Sequence, residues 1–277
     1  MRPSRTGLVL IGAMAWAAAC SGQEPGDSDS DPALRERRME LMRMRAVALQ
    51  AAGPDDEEYL FSEEPILRYN DTPRGVIDAS VWALGREGRP RAVLVLEVYD
   101  NRTVMYELTA SADPPQHVQA KAWRWTPKQG DFIWKQLPVT TPPGNSTVRR
   151  RRQIKQLTQN FAASEEFRGQ TYHLRLMPQP VYQYEDAERG VLNGAVFVWA
   201  HGTNVEILMF IEARQEEGSP PHWVAGFSRL AAASLDVTYQ QQDFWSSPQK
   251  VGSTPSDAYF SRGEPHTPDE RAAFAIE

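Results

Sequence analysis

From Ala33 to Ala52 the chain reads "ALRERRMELMRMRAVALQAA", with Met39, Met42, Ala46 and Leu49 at i, i+3, i+7 and i+10 among good helix formers. That spacing puts four apolar side chains on one helix stripe, and Gly53-Pro54 supplies the stop. The same pattern is read from Val148 to about Phe167, where Ile154, Leu157 and Phe161 form the stripe and Asn145, Ser146 and Thr147 offer N-caps. After each helix the period shortens to that of strands. In the first half the expected strands are Pro65 to Tyr69, Gly75 to Leu84, Ala92 to Asp100 and Thr103 to Ser111, with a fifth around Val118 to Trp125. In the second they are Pro180 to Tyr184, Gly190 to Trp199, Ile207 to Gln215, His222 to Leu230 and Leu235 to Tyr239.

The two halves align at an offset of 115 positions, without a gap until a four-residue insertion before His222. Within the alignment, "PILRYNDTPRG" matches "PVYQYEDAERG", sharing Pro65/Pro180, Tyr69/Tyr184, Asp71/Asp186, Arg74/Arg189 and Gly75/Gly190. The shared Asp and Gly read as turn residues, because a short acid can bond turn amides and glycine takes a positive φ without a Cβ clash. The expected fold class is therefore α+β: a tandem duplication of a helix followed by a four- or five-stranded antiparallel meander, the copies related by a pseudo-twofold. In element order alone such a unit resembles cystatin-like and NTF2-like folds, a likeness that carries no functional residues.

The chain is long enough for a sizeable core, and its net charge of -6 gives no basic footprint for nucleic acid. The division expected is a signal over 1–20, an acidic tether over 21–32, repeats over 33–147 and 148–247, and a Pro/Ser-rich tail over 248–277. In that tail only Thr267, Pro268 and Glu270 form a helix start, a capping box.

At the N-terminus, Arg2 and Arg5 precede an apolar run from Gly7 to Ala19, too short to span a bilayer, and the only cysteine, Cys20, follows Ala17, Ala18 and Ala19. This stretch resembles the signal of bacterial lipoproteins, with Ala17 where a leucine is common. The resemblance implies cleavage before Cys20 and lipidation of its sulfur, hence a membrane anchor in the cell envelope facing the periplasm or exterior. Cleavage after a small residue of the same run instead gives a soluble secreted form.

Candidate binding residues are the aromatic group Trp123, Trp125 and Trp134, for which core or sheet cover is the plainer reading, together with Glu97 and Glu212, which end the runs "VLVLE" and "LMFIE" at equivalent positions. Desolvation on an apolar strand face would raise a carboxyl's pKa, while a structural ion pair with Arg74 or Arg189 is the plainer reading. Asp71, Gly75, Asp186 and Gly190 are assigned to turns. Five scattered histidines show no metal-ligand spacing, and no nucleophile elbow or phosphate loop is found, so no metal and no cofactor is expected. Arg149 to Arg152 work against a helix dipole and call for something acidic nearby. The function expected is a non-catalytic binding or assembly role in the envelope, with another envelope protein, a lipid or a glycan as partner. The alternatives are a carrier of an apolar ligand held between helix and sheet, or a hydrolase assembled from His201, Glu212 and Asp186.

Overall fold

The computed structural model describes residues 32–54, 57–85, 87–100, 102–128 and 132–274. Helix α1 (Pro32–Val47) leads into β1 (Gln50–Ala52) and β2 (Glu58–Tyr59). A meander of β3 (Leu67–Asp71), β4 (Val76–Leu84), β5 (Ala92–Tyr99) and β6 (Thr103–Ala110) follows, then β7 (His117–Gln119), β8 (Arg124–Trp125) and β9 (Lys135–Gln136). The order recurs as α2 (Thr147–Thr158), β10 (Phe161–Phe167), β11 (Gln170–His173), β12 (Arg175–Leu176), β13 (Tyr182–Asp186), β14 (Val191–His201), β15 (Asn204–Arg214), β16 (His222–Arg229), β17 (Ser234–Tyr239) and β18 (Gln242–Ser247). Strand β19 (Tyr259–Pro265) and α3 (Pro268–Phe274) complete the chain.

The α+β helix-plus-meander unit is thereby corrected. The protein is mostly β, with 47% strand against 17% helix among the described residues, in four small antiparallel sheets arranged like a four-bladed propeller. What repeats is a pair of sheets. One runs β2-β1-β7-β8 and recurs as β11-β10-β17-β18; the other runs β3-β4-β5-β6 and recurs as β13-β14-β15-β16. The error lies where the helices end. Phe161 was expected to continue the helical stripe, but α2 stops at Thr158, and Phe161, Ala163 and Glu165 alternate inward along β10. A period of two in "FAASEEF" outweighs the 3.6 period carried over from Ile154 and Leu157. Strands β1 and β10 then pair with β7 and β17, drawing the expected fifth strand of each meander into a separate sheet.

Alternation along the long strands makes three cores. Trp82, Leu94 and Leu96 face α1, Val118 and Trp125 of the first unit. Phe197, Ile207 and Met209 face α2, Leu235 and Val237 of the second. The opposite faces meet in the middle, where Val81, Val93 and Val95 pack on Val196, Val198, Leu208 and Phe210. At about 1.5–3 kcal/mol for each fully buried aliphatic or Phe side chain, this middle core alone binds the units firmly.

The units also exchange edges. Strand β9, which follows the first unit, pairs with β16 of the second; β19, which follows the second, pairs with β6 of the first across seven residues. The tail expected to be mostly turn therefore completes the first large sheet. Its capping box forms as expected: the Thr267 amide donates to Glu270 Oε2 at 2.7 Å and the Glu270 amide to Thr267 Oγ1 at 3.3 Å.

Candidate functional site

Each copy of the repeated motif lends its tyrosine to a buried glutamate of its own unit. Tyr69 on β3 donates its hydroxyl to Glu97 Oε1 at 2.8 Å, and Tyr184 on β13 donates to Glu212 Oε1 at 2.5 Å. Strand alternation turns both carboxylates toward the middle core, leaving Glu97 3% and Glu212 0% exposed. Charges so placed have lost their water and require compensation.

At Glu212 the compensation is cationic. Arg89, from the β4–β5 loop of the other unit, donates Nε and Nη2 to its two oxygens at 2.6 and 2.9 Å, and Arg214 Nε donates at 2.6 Å. Both guanidiniums lie over the Trp134 ring, 5.0 and 4.1 Å from its centroid. Phe132 and Phe210 meet that ring edge-on.

At Glu97 the equivalent positions are neutral. Asn204 stands at the offset of Arg89 and Tyr99 at that of Arg214. Tyr99 donates to Glu97 Oε2 at 2.8 Å, and Asn204 Oδ1 lies 3.2 Å from the Tyr69 hydroxyl. On the next strand Glu107 faces the same side and accepts from Tyr259 at 2.7 Å. No cation lies within ion-pair distance of Glu97 or Glu107 among the described residues. Burial pushes both carboxyls above the usual range, and for Glu107 the neighbouring Glu97 adds to the rise.

The motif's arginine also crosses between units. Arg74 reaches Glu206 Oε1 at 2.7 Å and His201 Nδ1 at 2.9 Å, with Glu165 at 3.6 Å; Arg189 reaches Asp113 of the first unit at 3.3 Å as well as Asp186 at 2.8 Å. Glu165, His201 and Glu206 turn donor atoms to within 4.8 Å of one another, a set suited to a divalent metal. The Arg74 guanidinium already supplies positive charge at that point. Even so, burial and the adjacent Glu165 outweigh Arg74 and push Glu206 up to about 8.

A cleft of about 380 Å³ opens between α2 and the second large sheet. Ile154, Ala195 and Phe197 line its base and Val148 and the Pro178–Gln179–Pro180 turn its sides, with Arg151, Arg152 and Lys155 at the mouth. Ser146 caps the helix by accepting from the Arg149 amide, which fixes where the arginine run emerges. In the first unit the corresponding base carries Ser80 and Trp82 under α1, where the indole donates to Ser80 Oγ at 2.9 Å, and the matching mouth and side positions carry Glu36, Glu40, Glu63 and Glu64 together with Arg37 and Arg68.

Of the residues singled out in the sequence, Trp123 and Trp125 are buried in the first core, their indoles bonded to Glu264 and to the Asp257 carbonyl. Neither presents a face to solvent. Trp134 and Glu212 do come together, through Arg89 and Arg214. The ion pairs foreseen for Glu97 and Glu212 with Arg74 and Arg189 are replaced by the tyrosine and Arg89 contacts. Gly75 and Gly190 take φ of 77° and 66°; the Asp186 carboxylate accepts from the Arg189 amide, while Asp71 makes no such cap. His201, Glu212 and Asp186 do not converge: Glu212 pairs with Gly194, seven residues along β14 from His201, roughly 23 Å at the strand rise. Tyr69 and Tyr184 were missed as partners of the glutamates, although their identity at the common offset was a readable signal. Cys20 and the acidic run after it lie outside the described residues. Among the described residues no helix is long and apolar enough to cross a membrane.

No protein-family model, curated protein or solved structure matches this chain.

Proposed function

We propose that this is an exported, lipid-anchored envelope protein with a non-catalytic binding role, and that its ligand enters the cleft beside α2. The observation that carries the binding role is that cleft: apolar at its base, polar at its mouth, and at the lower end of the size range of small-molecule sites. It lies between helix and sheet, where a ligand with an apolar part replaces water beside the exposed Val148. Anchoring rests on the N-terminal signal and Cys20. A binding role without catalysis is favoured because the buried acids are held in tyrosine and arginine contacts rather than facing the cleft.

Native mass spectrometry of the full chain, exported by a bacterial host and extracted in mild detergent, tests both parts. The expected spectrum shows a mature chain beginning at an acylated Cys20 and a second, non-covalent mass released by organic solvent. An unmodified Cys20 overturns the anchor. A clean apo mass that stays apo on exposure to a lipid extract overturns the carrier.

A further inference from the structure

The first turns of α2 hold an electrostatic problem that the described acids leave largely unanswered. Arg149, Arg150, Arg151, Arg152 and Lys155 stand in the first nine residues of the helix, whose first turn contains no acid. The N-terminal end of a helix carries partial positive charge, so the arginines of the first turn oppose it, whereas Lys155 stands in the last turn. Arg151 and Lys155 are also four apart, the spacing at which like charges repel across one turn. Among the described residues only Arg150 has a carboxylate near it, Glu185 at 4.0 Å, and it is further held by the Gly144 and Leu192 carbonyls. Among the described residues Arg149, Arg151, Arg152 and Lys155 have no acidic partner, in a chain whose net charge is -6.

The same cations stand at the mouth of the apolar cleft. Arg151, Arg152 and Lys155 line it beside Val148, which is 62% exposed. The first unit answers the contrast, since Glu36 and Glu40 occupy the places of Arg151 and Lys155, and there Glu40 and Glu64 both bind Arg43. The charge reversed at two of the three mouth positions, Arg152 being matched by Arg37, while the base of the second cleft stayed apolar, with Phe197 for Trp82 and Ala195 for Ser80.

We propose that the cleft beside α2 binds an anionic amphiphile, its single apolar chain lying over Ile154, Ala195 and Phe197 and its carboxylate or phosphate head held by Arg151, Arg152 and Lys155. This inference rests on the cleft being the ligand site. The head needs no preformed pocket, because guanidinium groups bind oxyanions in a fork. The tail supplies affinity by displacing water from the exposed Val148 and Pro178 at the sides as it lies against the base. Such a ligand also relieves the repulsion along the first turns of the helix.

The test is isothermal titration calorimetry on the full chain held in lipid nanodiscs, with three probes: dodecyl phosphate and dodecyl maltoside, each below its own critical micelle concentration, and inorganic phosphate, each titrated against empty nanodiscs as the blank. Expected is binding of dodecyl phosphate at least tenfold tighter than dodecyl maltoside, no binding of inorganic phosphate, and loss of affinity as salt rises. The exposed pair R151Q/R152Q should fold normally, with a small rise in Tm, and lose the tenfold preference while keeping the weaker affinity for dodecyl maltoside. Equal binding of the two amphiphiles would overturn the anionic selectivity and leave the apolar site standing. Inorganic phosphate binding as well as dodecyl phosphate would reduce the site to a surface anion contact and overturn the amphiphile. Absence of binding by all three would overturn this inference together with the carrier reading.

Discussion

Two glutamates, each under a tyrosine and each on the inner face of a long strand, stand at one common offset, yet Glu212 is clasped by two guanidiniums and Glu97 by none. The Tyr–Glu pair belongs to the repeated scaffold. What differs is the residue that the opposite unit lends: Arg89 passes from the first unit to Glu212, while Asn204 passes from the second to the Tyr69–Glu97 pair. A second acid, Glu107, then joins Glu97 where the other site has Gly226. One interface site is thus charge-balanced, with an aromatic ring on its cations, and its counterpart gathers carboxyls whose burial favours protons. Duplication preserved the geometry and let the electrostatics diverge.

The largest test of this contrast is Arg89→Met against Asn204→Leu. Removing Arg89 leaves Glu212 fully buried with half its compensation, and breaking a buried pair in this way costs about 3–5 kcal/mol. Asn204 contributes ordinary neutral hydrogen bonding, so its loss should cost about 1 kcal/mol. Urea unfolding of the two variants measures both. Similar losses would mean that the sites are electrostatically alike, and the contrast would fall.

Next in size is the response to pH. Glu206, at about 8, and Glu97 and Glu107, raised by burial, hold protons more tightly folded than unfolded. Their contribution to stability is full below the ordinary carboxyl pKa of about 4.3 and is lost as pH climbs through the folded values, through about 8 for Glu206. Between pH 5 and 9 the unfolding free energy should fall by on the order of 2–4 kcal/mol. Glu206→Gln should flatten that slope, whatever it does to absolute stability through Arg74. A wild-type profile that is flat or rises over this range would sink the assignment of proton-holding acids to this side of the interface.

Much of this was legible in the chain. The duplication, the inward alternation of the long strands, the α1 stripe of Met39, Met42 and Ala46, and the aligned Glu97 and Glu212 all follow from local periodicity, whereas the helix expected to run on through Leu49 ends at Val47. Two kinds of feature were not legible. Short strands such as β1, β2 and β8 run for two or three residues, too few for any period to show, and they divide one expected meander into two sheets. Contacts between units, such as Arg89 with Glu212 or Arg74 with Glu206, join residues 123 and 132 positions apart. They depend on how two large sheets meet and on a β9/β19 exchange that no local pattern encodes. Trp123 and Trp125 illustrate the same limit: their spacing fits an exposed platform as well as a core, and only the return of the C-terminal segment over them decides it.

The smallest effect concerns the glycine that separates the two sites. Gly226 stands where Glu107 stands in the first unit, and a methyl group there would lie 2.4 Å from Phe132 Cε1 and 3.1 Å from Trp134 Cε3. Those rings have no simple retreat, since Phe132 is edge-on to Phe210 at 5.3 Å and Trp134 lies against Arg89 and Arg214. Gly226→Ala should therefore cost about 1–3 kcal/mol by overpacking. Glu107→Ala should cost less, because losing the Tyr259 hydrogen bond is offset by relief of the Glu97 repulsion, and it should lower the pH at which Glu97 ionises. A Gly226→Ala variant as stable as the parent would show that Trp134 does not need its seat over the two arginines. The aromatic cover would then be incidental to the balance at Glu212, and the divergence between the sites would rest on Arg89 and Arg214 alone.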